Sequence, residues 1–177
     1  MNLTKKLTLV LSILLCKSAF AHIVLDQKEV ITGEYYKATF KVSHGCSGSP
    51  TNAVTITIPN GFRGAKPMVK SGWQINVTKS KLGSPYTSHG RTISEDTTEI
   101  TWSGGNLPSA YYDEFVVVGQ VASAPGPMYW KVSQLCEKGR QDWVQIPDQG
   151  KALQDYPFPA ALLNVLPIPD QHHNHQH

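Results

Sequence analysis

The sequence predicts an all-β fold, an antiparallel sandwich of two sheets. Short segments alternate apolar and polar residues, and glycine and proline clusters punctuate them at close intervals. No stretch carries the 3.6-residue apolar period of an amphipathic helix. A sandwich buries the inner face of each sheet against the other, and alternation along each strand is what that burial writes into a sequence.

The chain opens with a segment that stands apart from this pattern. Residues 1–21 carry Lys5 and Lys6, the apolar run Leu7 to Leu15, and the ending Ala19-Phe20-Ala21. These are the parts of a signal peptide cleaved after Ala21, and the run is shorter than the about 20 residues that span a bilayer. The expected mature chain begins at His22, is soluble, and resides in the periplasm or cell envelope. Of 16 Lys and Arg, Lys5, Lys6 and Lys17 leave with the leader, whereas all 13 Asp and Glu remain, so the mature net charge is 13 − 13, or zero. That balance argues against a nucleic-acid surface. The remaining 177 − 21 = 156 residues suffice for one domain with a proper core. The expected division is a sandwich over 22–150 and a Pro-rich C-terminal segment with a His-rich tail over 151–177.

The strands follow in order. Tyr36 to Val42 sets Ala38, Phe40 and Val42 on one face. Val54 to Ile58 repeats the pattern and stops at Pro59-Asn60-Gly61, a turn signal. Trp73 to Val77 follows Ser71-Gly72, and Glu99 to Ser103 ends at Gly104-Gly105-Asn106. Phe115 to Val121 is nearly continuous in apolar residues and predicts a central strand covered on both faces. Met128 to Gln134 and Trp143 to Ile146 complete the set, and periodicity fades from Pro147 onward. Cys16 departs with the leader, so Cys46 and Cys136 are left as an even pair in an oxidising compartment. A disulfide between them stabilises by roughly 4–5 kcal/mol in the chain-entropy account.

His22 draws attention to the new N-terminus. A histidine in first position offers its α-amine and imidazole Nδ1 as a chelating pair, and two nitrogens completed in a tetragonal plane suit Cu(II) among divalent ions. The plain alternative is that histidine falls at the cleavage point by chance.

Four segments in this order carry a resemblance: AHIVLDQKEVITGEYYKATFKVSHGCSGSPTNAVTITIPNGF, KPMVKSGWQINV, ITWSGGNLPSAYYDEFVVVGQV and QLCEKGRQDWVQIPDQG. Together they resemble the YcnI-like copper-binding domain family over residues 22–150. The resemblance implies an immunoglobulin-like β-sandwich, exported to the envelope and binding Cu(II). It implies one copper held by the amine and imidazole of the N-terminal histidine, here His22, with an acidic residue and a nearby tryptophan. Trp143 in DWVQIP matches that tryptophan. The acidic position departs from the family's simpler members, because Pro108-Ser109-Ala110 carries alanine at the comparable place. The candidate carboxylates are Glu114 and then Asp113, with Glu29 and Glu34 as further options. Consecutive strand residues face opposite ways, so at most one of Glu114 and Asp113 turns toward a given site. His44, in HGCSGS, is a candidate second imidazole that would make the site resemble a histidine brace; its ordinary alternative is a loop histidine bonded to backbone.

The tail DQHHNHQH holds His172, His173, His175 and His177, a metal-gathering composition. The expected function is an envelope Cu(II)-binding protein, a copper chaperone or storage protein whose partner is another copper chaperone or a membrane copper transporter. Neither GxSxG, HExxH nor a phosphate loop occurs, so no enzyme is expected. The contrasting classes are a copper-dependent oxidative enzyme and a structural envelope sandwich in which His22 has no role.

Overall fold

The computed structural model describes residues 22–169. The leader and the histidines of the tail lie outside the described residues. Eleven strands and one 3-10 turn, Leu153–Asp155, make up the regular structure among them. The strands are β1 (Val24–Leu25), β2 (Glu29–Ile31), β3 (Tyr35–Val42), β4 (Thr51–Thr57), β5 (Phe62–Pro67) and β6 (Gln74–Ser88), then β7 (Arg91–Leu107), β8 (Asp113–Val121), β9 (Gly126–Cys136), β10 (Arg140–Trp143) and β11 (Ala161–Leu166).

One sheet has the order β1-β3-β8-β5; the other runs β2-β11-β9-β4-β7-β6, with β10 paired to β9. All pairings are antiparallel except that of β11 with β2. The alternation read from the sequence is the alternation buried: Ala38, Phe40 and Val42 of β3 are fully enclosed, as are Val54 and Ile56 of β4. Cys46 and Cys136 form the expected disulfide, their Cα atoms 5.9 Å apart.

Several features differ from expectation, among them the strand expected at Trp143 to Ile146, which instead spans Arg140–Trp143. β8 is central in its sheet, yet Val118 on its outer face is 43% exposed. A sandwich covers only one face of each sheet, so the apolar run overstates burial. The hairpin β6–β7 reaches well beyond Val77 and Glu99, its turn at His89-Gly90 using positive φ at both residues. Its outer half is mostly exposed and rich in Ser, Thr and Lys, so it has no apolar face to signal a strand. β11 lies within the Pro-rich stretch expected to lack periodicity, and it is an integral strand between β2 and β9. Leu163 and Val165 alternate inward, but Pro157, Pro159 and Pro167 flank the strand and mask it in the sequence.

Candidate metal centre

β1 and β3 bring the start of the described chain to one end of the sandwich. Val24 pairs with Lys41 and Leu25 with Phe40, so going back from Val24 to His22 moves along β3 toward Ser43 and His44. β3 then gives way to the loop HGCSGS. Gly45 is required there, because a Cβ would lie 1.7 Å from the Ser49 carbonyl oxygen. Ser47 and Gly48 turn the loop with positive φ, and Cys46 ties it to the end of β9.

β9 continues into β10, whose last residue, Trp143, pairs with Val132. Its indole is fully enclosed and stands edge-on to three rings: His22 at 5.8 Å between centroids, His44 at 6.4 Å and Phe158 at 5.5 Å. Two histidines distant in sequence therefore meet one tryptophan. The tryptophan's polar edge is answered from below: Trp143 Nε1 donates to Gln134 Oε1 at 3.3 Å. Gln134 is itself fully buried, and its Nε2 donates to the His44 carbonyl and to Thr51 Oγ1, each at 2.7 Å. A buried primary amide with both sides hydrogen-bonded is a rigid spacer rather than a liability. Beside His22 lies a small, largely apolar cavity of about 130 Å³, walled in part by Leu25, Leu153 and Pro159.

The carboxylates are arranged differently. Asp113 shares the inward parity of the enclosed Phe115, and Lys70 Nζ contacts its Oδ1 at 2.6 Å. The same ammonium donates to the Glu114 carbonyl at 2.9 Å and sits 4.7 Å from the centre of the Phe115 ring. Glu114 lies opposite Lys41 in the register and faces away from the core. Among the described residues no three His, Cys, Asp or Glu side chains converge into a metal-sized cluster, so neither carboxylate joins the two imidazoles. The imidazoles of His22 and His44 stand against the same indole, and imidazole nitrogen is a donor type that suits copper.

Gln134 is the residue that sequence reasoning passed over. Glutamine in a strand reads as solvent-facing, and its three partners come from segments that only the fold assembles. The segment QLC, with Cys136 committed to the core, held the only hint.

Residues 22–165 match the family described as Domain of unknown function (DUF1775). The chain belongs to that family, and the YcnI-like resemblance is to the same family. Among solved structures it is similar to an uncharacterized protein from Nocardia farcinica with an immunoglobulin-like fold. The two share 20% identity with a TM-score of 0.60, the match covering 81% of this chain and 97% of that one. No curated protein matches the chain. The protein is thus an immunoglobulin-like β-sandwich of the DUF1775 family.

Proposed function

We propose that this protein is an exported Cu(II)-binding protein of the periplasm or cell envelope, and that copper is its cargo. The observation that carries the proposal is the 5.8 Å approach of the His22 ring to the enclosed indole of Trp143. A first residue fixed against a buried aromatic gives the amine and Nδ1 of His22 a defined direction, where a chance N-terminal histidine would hang in solvent. Cleavage after Ala21 creates the chelate, so export and site assembly are one event. Nitrogen and oxygen donors favour Cu(II), and both cysteines are held in the disulfide, which removes the thiolates that select Cu(I).

Trp143 shields one side of the metal from water and oxidants, which suits a carrier better than a catalyst. The protein acts as a copper chaperone or store, exchanging copper with another copper chaperone or a membrane copper transporter. His172, His173, His175 and His177 of the tail gather metal with low selectivity. Asp113 is engaged by Lys70, so the proposal rests on nitrogen donors and leaves the oxygen positions to solvent or a carboxylate that moves.

The test is an EPR-monitored Cu(II) titration of mature protein starting at His22, with the four tail histidines replaced by alanine. A matched sample carries one glycine before His22. The proposal expects a single tight tetragonal site that the added glycine abolishes; equal binding by both samples removes His22 from the function.

A further inference from the structure

We infer that the groove between the outer face of the four-stranded sheet and the outer half of the β6–β7 hairpin binds an acidic saccharide, a sugar bearing carboxylate or phosphate groups. The groove lies at the opposite end of β3 from His44 and needs no copper. It encloses about 430 Å³, within the roughly 300–1,000 Å³ of ordinary ligand sites.

The floor is set by strand register. Tyr35, Gln120 and Arg63 form one row across β3, β8 and β5, and Val118 and Lys66 belong to the next. Arg63 and Lys66 are three residues apart, so a regular strand would point them to opposite faces. The ladder slips between them instead: Arg63 pairs with Gln120 and Lys66 with Val118, two residues apart on β8. This bulge returns both cations to the outer face while Ala65 between them stays buried. Lys79, Tyr86 and Glu95 of the hairpin supply the facing wall, with His89 at its turn.

Arg63 is held in place without being neutralised. Its guanidinium carbon lies 4.5 Å from the centre of the Tyr86 ring. The Tyr86 phenol donates to Asp96 Oδ2 at 2.6 Å, and the same oxygen accepts from the Gly64 N–H of the bulge at 2.9 Å. An aromatic face fixes the guanidinium plane and leaves its N–H donors for a ligand. Among the described residues none of Arg63, Lys66 and Lys79 forms an ion pair, so the groove presents three uncompensated cations to an anion. The Tyr35 ring, 68% exposed, offers a flat apolar face to the C–H side of a sugar ring. Ser88 and Glu95 add a hydroxyl and an unpaired carboxylate suited to sugar hydroxyls. A nucleic acid, charged at every residue, would be repelled by Glu95; a sugar with spaced anions and free hydroxyls uses both signs.

The experiment is isothermal titration calorimetry on metal-free, full-length mature protein with the four tail histidines replaced by alanine. The acidic probes are tetragalacturonate and mannose 6-phosphate, which separate a carboxylate sugar from a phosphate sugar. Maltotetraose, inorganic phosphate and a short oligothymidylate are the neutral, lone-anion and nucleic-acid comparisons. Saturable one-to-one binding of at least one acidic sugar is expected, tighter than all three comparisons. Arg63→Ala is expected to weaken it about tenfold or more, as loss of a charge-assisted bidentate contact does. Arg63→Lys restores the charge but not the planar fork, and is expected not to rescue. Tyr35→Ala changes no charge and is expected to weaken the sugar while leaving inorganic phosphate unaffected. Circular dichroism checks that each variant is folded, and the ranking of probes on the parent protein needs no variant. No saturable binding of either acidic sugar overturns the inference, as does equal or tighter binding of maltotetraose, phosphate or oligothymidylate. Binding that either alanine variant leaves unchanged places the sugar elsewhere and overturns it too. Because the samples hold no metal, these results stand or fall separately from the Cu(II) titration.

Discussion

Trp130 and Trp143 sit on neighbouring strands, and both are wholly enclosed. Their surroundings are opposite. Trp130 packs edge-on against Phe40 at 5.4 Å and Phe62 at 4.7 Å, and its indole N–H finds no acceptor among the described residues. Trp143 meets two histidines and a phenylalanine, and its N–H goes to a glutamine that is itself fully bonded. The same side chain at the same burial is core filler in one place and the floor of the candidate site in the other. Burial alone does not distinguish them; what separates the two is whether the protein has organised polar groups around the ring. An unanswered N–H is tolerable in the middle of a sandwich because the packing area outweighs a penalty of about 1–3 kcal/mol. At the sandwich end the fold spends a buried amide, a tight loop and a disulfide on holding one indole.

This contrast can be broken at several points. Trp130→Ala has the largest expected effect on stability, about 3–5 kcal/mol by chemical denaturation, with the Cu(II) spectrum of the folded protein unchanged. Removing the disulfide with Cys46→Ala and Cys136→Ala follows, at about 2–5 kcal/mol. Because it also frees the loop bearing His44, it is expected to perturb the copper spectrum. Trp143→Phe keeps most of the ring but leaves Gln134 Oε1 without its donor, which costs about 1–3 kcal/mol and alters the Cu(II) spectrum. A Trp130 variant that disturbs copper, or a Trp143 variant that does not, would erase the division between the two tryptophans.

The smallest expected effect lies in the outer hairpin, remote from His22 along the sheet. Tyr86 donates to Asp96 Oδ2 at 2.6 Å, and Asp96 Oδ2 also accepts from Gly64 N, stitching β6 and β7 to β5. Burial, followed by the bond and charge of Asp96, pushes the Tyr86 phenol up from 10.0 to about 12. The folded state thus favours the neutral phenol. Its contribution is complete below pH 10 and is lost as pH rises through about 12. Tyr86→Phe is expected to lower the melting temperature slightly at pH 8 and to converge with the parent toward pH 12, with copper binding untouched.

The comparison also explains what was legible in the sequence. Ala38, Phe40 and Val42, or Val54 and Ile56, announce themselves because each strand has one wet face and one dry face. The two cysteines could be paired by count alone. β5 was hidden by Gly64 and Pro67, and β11 by the prolines around it. The candidate site was legible in its parts, His22, His44 and Trp143, through residue chemistry and resemblance. Their convergence was not, because it depends on the β1–β3 register and on Gln134, a residue whose type says nothing of its burial. The carboxylates show the same limit from the other side. The parity of Asp113 with Phe115 could be reasoned from the strand, but the claim of Lys70 on Asp113 comes from a loop 43 positions earlier.

The central claim is that copper sits on His22 beside Trp143. Diffraction at the copper absorption edge, from crystals of the mature protein grown with Cu(II), tests it most directly. The account predicts an anomalous peak at the His22 amine and imidazole, next to the indole. A copper peak found only elsewhere, with the His22 nitrogens bare, would contradict it.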